Sequence, residues 1–395
     1  MRTTLRTLAT GLAVLTVGTA GCGSDTPPPP QTIDVNQLDV GSYATESREI
    51  GKPGRDRARV TEGQRLAGFV PLPMDIDSQF SVQYRSAPDG LLGFVESVYS
   101  LGLSTEVFTQ SAPGFVAGFY SAAYSEKDLQ IAKTLENTVL LFSDQQTATS
   151  AAGALARAVA AKQGLSEPVE IGKYRDALAF WKPGTQELHS FRANGPFVIY
   201  TETTDAAKIA VETTDLPAMV TLVEKSLDTV GSRLREFTPI PPDYLASIPL
   251  DHDGMLGRSL PRPHEDGWRN PPGLYDRAGA LHLSSDPAQD KKLFDDAGVD
   301  WLANNGGFLY RAKNPQGAQL IRDSHSTPDK LYRRIDPPKN LPDARCREFR
   351  PKPVLITRFH CVATYDRYAA EVWSDQLIDV RQRISAQYAI LAKEK

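Results

Sequence analysis

The sequence predicts an α+β protein of two domains, each an antiparallel sheet packed by amphipathic helices, joined by a proline-rich connector. Three observations predict it. The chain has 395 residues, enough for two separate cores. Short apolar runs alternate with longer stretches of helical periodicity in both halves. Eight prolines crowd residues 239–272, between those halves. With 41% hydrophobic and 23% charged residues and a net charge of −4, the composition is that of an ordinary globular chain. It excludes disorder and a multi-pass membrane protein, and it lacks the basic excess of a nucleic-acid binder.

Residues 1–21 read as a signal peptide. Arg2 and Arg6 precede an uncharged stretch from Leu8 to Gly21. A helix of that length rises about 21 Å, short of the roughly 30 Å hydrocarbon core, so export is favoured over a permanent span. The stretch ends in Thr19-Ala20-Gly21-Cys22, which resembles the bacterial lipobox, although Thr19 replaces the usual aliphatic residue. The resemblance implies that the Cys22 thiol is lipidated and becomes the mature N-terminus, fastening the chain to a membrane from the extracytoplasmic face. The alternative is an ordinary secreted protein cut near Ala20. Residues 22–45, with four consecutive prolines from Pro27 to Pro30, read as a semi-rigid tether. Six basic residues between Arg48 and Arg65 read as a solvated loop, with contact to phospholipid heads as its alternative.

The N-terminal domain is expected over residues 46–238. Residues 138–142 form a buried-strand pattern, and Ser143 with Gln146 reads as a capping box opening a helix with Ala148, Ala151, Ala152, Leu155 and Val159 on one face. Residues 177–181 and 197–203 read as strands, and a second helix beginning near Asp215 carries a stripe from Leu216 to Leu234. The connector is expected over residues 239–275. The C-terminal domain, residues 276–395, is expected to hold strands at 280–283 and 308–311. Its helices should open at Asp286-Pro287 and Asn314-Pro315, and a last helix should run from about Ser374. Helices on one face of each sheet suit this pattern.

With Cys22 assigned to lipid, Cys346 and Cys361 remain, in strand-like flanks that fold back about residues 351–354. The two then fall opposite each other, and an oxidising compartment closes a disulfide worth about 3 kcal/mol. Two buried thiols are the alternative. No suitably spaced His supports metal, and no cofactor is expected.

Nucleotide-binding and hydrolase signatures are missing from the sequence. Asp251-His252-Asp253-Gly254 has cation-binding residue types but reads as a solvated turn. Asp323-Ser324-His325-Ser326 has the residue types of a triad, which four chain neighbours seldom assemble. His360 should face away from Cys361 across the sheet. Trp268 and Tyr275 stand out on the connector as a possible contact for a ligand or partner, against the plainer reading that Trp268 pins the connector to a surface.

The whole-chain pattern is similar to a family of actinobacterial cell-envelope lipoproteins of unknown function, of nocardial and mycobacterial type. It is carried by the lipobox ending at Cys22 and by Arg65-Leu66-Ala67 leading into Val70-Pro71-Leu72-Pro73. At the far end it is carried by Phe359-His360-Cys361, Asp366-Arg367-Tyr368 and the closing helix from Asp375-Gln376-Leu377 to Gln387-Tyr388-Ala389. The resemblance implies two domains on a lipid anchor and supplies no catalytic residues. The expectation is a non-enzymatic, lipid-anchored protein whose partner is an unknown envelope protein or small ligand, not nucleic acid. The alternative is an exported hydrolase with a site assembled from distant residues.

Overall fold

A computed structural model of the chain describes residues 33–83, 101–262, 271–351 and 357–394. In the first half, α1 (Arg55–Ala67), α2 (Pro73–Ile76), β1 (Val82–Gln83) and α3 (Thr105–Ser111) precede the long strands β2 (Phe115–Tyr124) and β3 (Lys133–Phe142). Then come α4 (Gln145–Gln163), β4 (Glu167–Val169), β5 (Leu178–Lys182), β6 (Glu187–Asn194), β7 (Phe197–Asp205), α5 (Ala206–Ala210) and α6 (Leu216–Leu234). The seven strands form one antiparallel sheet in the order β1-β2-β3-β7-β6-β5-β4. The capping residue of α4 is Asp144 rather than Ser143: its carboxylate accepts from the Thr147 N–H at 2.8 Å, while Ser143 bonds to that carboxylate. A carboxylate at a helix start also meets the positive end of the helix dipole, which a hydroxyl cannot match.

The second half runs β8 (Gly273–Asp276), α7 (Arg277–Leu281), α8 (Pro287–Ala297), β9 (Trp301–Asn304), β10 (Phe308–Arg311) and α9 (Pro315–His325). It closes with β11 (Tyr332–Ile335), β12 (Arg345–Phe349), β13 (Phe359–Tyr365), β14 (Tyr368–Ser374) and α10 (Leu377–Lys393). Its sheet is antiparallel in the order β11-β12-β13-β14-β10-β9-β8. The strand expected at 280–283 is helix α7, because the Asp276 carboxylate caps the Gly279 N–H at 2.7 Å; the strand lies just upstream, as β8. The α+β class and two sheet-bearing domains hold. Helices cover both faces of each sheet, not one. In the first, α4 packs on Leu140, Phe191 and Val198, and α6 on Val139, Leu188 and Ile199. In the second, α10 packs on Cys361, Ala363 and Val372, while α9 faces Ala369 and Glu371.

The basic stretch expected as a loop includes α1, which joins the two sheets. Ala58, Val60, Leu66 and Ala67 are buried in a core that continues through Tyr275 of β8 to Phe294 of α8 and Ile321 of α9. Its polar side chains terminate backbone groups of both domains. Arg59 donates to the carbonyls of Phe115 and Val116 at 3.0 and 2.7 Å, Gln64 to those of Pro271 and Pro272, and Arg57 to that of Pro272. Glu62, fully buried, pairs with Arg65 and accepts from the Ile240 N–H at 2.9 Å. Both ends of the expected 239–275 connector are thus tied to one helix, and its last residues belong to β8.

The tether also ends earlier than expected. From Ile33 on, the chain lies against the second domain: Val35, Leu38, Val40 and Tyr43 pack on that domain's core. Asn340 donates to the Gln37 carbonyl at 2.8 Å, Gln382 to Asp39 at 3.0 Å, and Tyr43 to Asp379 at 2.5 Å. Ile33, Val35, Leu38 and Val40 supply the buried side of this strap. Among the described residues, no helix is long and apolar enough to cross a membrane.

Candidate functional site

Some residues singled out by sequence lie outside the described segments: Cys22 and the signal peptide, and Trp268. Tyr275 is 1% exposed, in β8 under α1, so it is core rather than a surface for a ligand or partner. Cys346 and Cys361 are cross-strand partners on β12 and β13 and form a disulfide within the second core. His360 projects from the other face, with Nε2 donating to the Thr357 carbonyl at 3.0 Å.

Neither local cluster assembles a site. Asp251 accepts from the N–H groups of Leu256 and Gly257 at 2.7 and 2.9 Å, while Asp253 pairs with Arg311 at 2.9 Å and His252 stacks on Trp301. These carboxylates shape a turn against β9 and β10. Asp323 pairs with Arg322, and the Ser324 hydroxyl accepts from Gln289. His325 points elsewhere: Nδ1 faces Glu371 at 3.0 Å and Nε2 faces Asp290 at 3.2 Å, while Ser284 donates to Asp290 at 2.6 Å. Burial opposes a charge on His325, yet the two carboxylates lift its pKa to about 10, so it is an imidazolium. Burial would raise Glu371, but His325 overrides it and holds the carboxyl below its ordinary range. This ion triad docks α8 and α9 onto β14.

His282 sits between the domains, 6% exposed. Nε2 donates to the Val70 carbonyl at 2.9 Å and Nδ1 accepts from Ser121 at 3.3 Å, with Phe119 edge-on. Burial drives its pKa down to about 4, so it stays neutral. The small recess beside it, lined by Phe80, Ala123 and Pro287, is mainly apolar.

The arrangement with chemical potential is a polar row on the first sheet, where α4 leaves the face uncovered. Glu136, Glu202 and His189 are successive cross-strand partners on β3, β7 and β6. Tyr120 of β2 donates to Glu136 at 3.0 Å, and Tyr200 donates to Glu202 at 2.5 Å. The Tyr200 proton being committed there, His189 Nδ1 donates to Tyr200 Oη at 2.8 Å. Its Nε2 is turned toward Glu187 at 3.8 Å. Tyr200 and His189 are fully buried, and Phe191 stacks on Tyr200 at 4.5 Å, fixing the ring. The carboxylates are partly exposed.

Burial first, and the facing Glu202 second, push the Glu136 pKa up to about 8, with Tyr120 pulling the other way. The approach of the His189 ring holds Glu187 below its ordinary range, against burial. Three carboxyls, with the Glu136 proton held most tightly, two phenols and an imidazole ring therefore share one sheet face. Such a set accepts hydrogen bonds from hydroxyl or amine groups and holds a transferable proton. Among the described residues, no group of three or more His, Cys, Asp or Glu is arranged for a metal ion. Sequence reading missed this row; the available signal was a glutamate interrupting each of two otherwise buried strands.

Two antiparallel sheets sharing one core through a bridging helix define a two-domain α+β protein. Residues 50–250 match the family model described as domain of unknown function (DUF7373) N-terminal, and residues 255–394 match its C-terminal counterpart. The chain belongs to the DUF7373 family. The boundary between the two matches falls inside the expected connector, and the strap at 33–43 precedes the first. No curated protein and no solved structure matches the chain.

Proposed function

We propose that the chain is an extracytoplasmic protein held to the membrane by a lipid on Cys22, which binds a polar ligand or envelope partner without turning it over. The observation that carries the reading is the Cys346–Cys361 disulfide inside the second core. Disulfides of this kind persist in oxidising compartments, to which the leader at 1–21 would deliver the chain. The Glu136–Glu202 face supplies the ligand side of the reading, with acceptors partly open to solvent. Fractionation of native-host cells without detergent tests the anchor: the Cys22→Ala protein should move to the soluble fraction. Unchanged membrane association would refute it.

The same face favours a second reading, an exported hydrolase, since Glu136 and Glu202 come from distant positions and Glu136 holds its proton to raised pH. Glu136→Gln distinguishes the two. A binding protein keeps its ligand within about tenfold, whereas a hydrolase using Glu136 as proton donor loses turnover by roughly 10²–10⁴-fold. A panel of chromogenic esters and glycosides, all unhydrolysed by the native chain, would remove the hydrolase reading.

A further inference from the structure

We propose that a basic groove on the second domain, between β11 and the start of α10, docks on anionic phospholipid headgroups. Glu348, Phe359, Arg333, Arg334, Arg358 and Arg381 line it, and it opens broadly to solvent. Glu348 is occupied by two of these cations, Arg333 at 2.7 Å and Arg358 at 2.6 Å. Arg334 and Arg381 remain. Arg334 is exposed, and Arg381 donates to the Asp336 carbonyl at 2.9 Å while its Nε is buried with no partner among the described residues. Four guanidinium groups against two carboxylates give the groove a positive excess, and guanidinium groups match phosphate oxygens in geometry.

Two observations select a membrane surface as the source of that phosphate. The first is where the chain leaves the described structure. The strap at 33–43 runs along α10, touching Asp379 and Gln382, which flank Arg381. The eleven residues from Cys22 to Ile33 span at most about 40 Å, so a lipid on Cys22 would keep this side of the second domain close to the bilayer. The second is charge. Residues 276–395 hold twenty Lys and Arg against sixteen Asp and Glu, whereas residues 1–275 hold twenty-four against thirty-two. The more basic half of the chain is the one that the strap packs on. Anionic leaflets attract such a surface over about a Debye length.

The source of the surface rests on the lipid-anchor reading; the groove's preference for anions does not. The test therefore uses the full chain made without acylation, in co-sedimentation with phosphatidylcholine vesicles and with mixed phosphatidylcholine–phosphatidylglycerol vesicles. The leader is common to all variants, so the ratio of variant to native binding is the readout. Arg334→Glu should weaken binding to the mixed vesicles by roughly tenfold. Arg381→Gln, which keeps a donor for Asp336, should weaken it less. Arg175→Glu, an equal charge change on the first domain at a side chain 85% exposed, should leave it unaltered. Equal loss in the Arg334 and Arg175 variants, or no preference for the mixed vesicles, would overturn the proposal. So would full displacement by inorganic phosphate, which would make the groove a free-phosphate site. Intact mass of the native-host N-terminus reads the anchor separately, and an unacylated Cys22 would sink that reading without altering the vesicle ratios.

Discussion

At Glu136, burial and a like charge act in the same direction, and the consequence is measurable without a ligand. Its pKa near 8 in the fold lies above that of the unfolded chain, so the folded state holds the proton longer as pH rises. Stability is then fully present below about pH 4.5 and falls between there and about pH 8. Glu136→Gln should flatten this slope and raise stability at pH 8 by about 1–2 kcal/mol, less than the full shift because the carboxyl is partly solvated. Chemical denaturation at pH 5 and pH 8 checks it. His325 titrates differently. The stability it contributes is complete below about pH 6.5 and lost as pH rises through its folded pKa of about 10. Glu371 adds a contribution present above its unfolded value and lost in acid. His325→Ala strands two carboxylates on α8 and β14 and should cost roughly 3–5 kcal/mol. A loss below about 1 kcal/mol would mean that water reaches the triad. Neither cluster was legible in the sequence, because each draws its members from separate elements whose register only the folded sheet defines. His325 was noticed for its chain neighbours, yet its partners are Asp290 and Glu371.

Elements were legible where local chemistry is decisive. Asp215, Asp286 and Asn314 each cap the helix expected of them, and Cys346 meets Cys361 in the register that the hairpin implied. Cys361→Ala should therefore cost about 3 kcal/mol under oxidising conditions and almost nothing further when reductant is present. Non-reducing mass mapping reads the same bond directly. The strands passed over were β1, β2, β4, β6, β8, β9, β11 and β14. In β2, Ala117, Gly118, Ser121 and Ala122 blur the alternation, and β6 mixes Glu187, His189, Ser190 and Arg192 with its apolar residues. Their strand character comes from neighbours on both sides, not from their own propensity. β8 depends on one close approach: a Cβ at Gly273 would sit 1.9 Å from the Gln64 amide. Gly273→Ala should displace Gln64 from the Pro271 and Pro272 carbonyls and cost roughly 1–3 kcal/mol, read by denaturant midpoint.

Across the whole molecule, α1 makes the two sheets one cooperative body. Leu66, fully buried, touches a core that both domains share. Leu66→Ala should cost roughly 2–5 kcal/mol and shift a single unfolding transition. Calorimetry resolving two independent transitions, only one of them moved, would show that the domains unfold separately. The sequence suggested two modules and a connector wrapped over a surface, because prolines interrupt its periodicity. It concealed the joint because α1 looks like a charged loop: its arginines are spent on backbone carbonyls, and a polar side chain satisfied that way can be buried.

The strap has a bearing on how such a chain is made. Residues 33–43 open the described chain, but their seat is on α10, the last of the described helices. Tyr43 must wait through 336 residues of synthesis for Asp379. Until α10 has been made, residues 33–43 have no surface to pack on, and its folding supplies one.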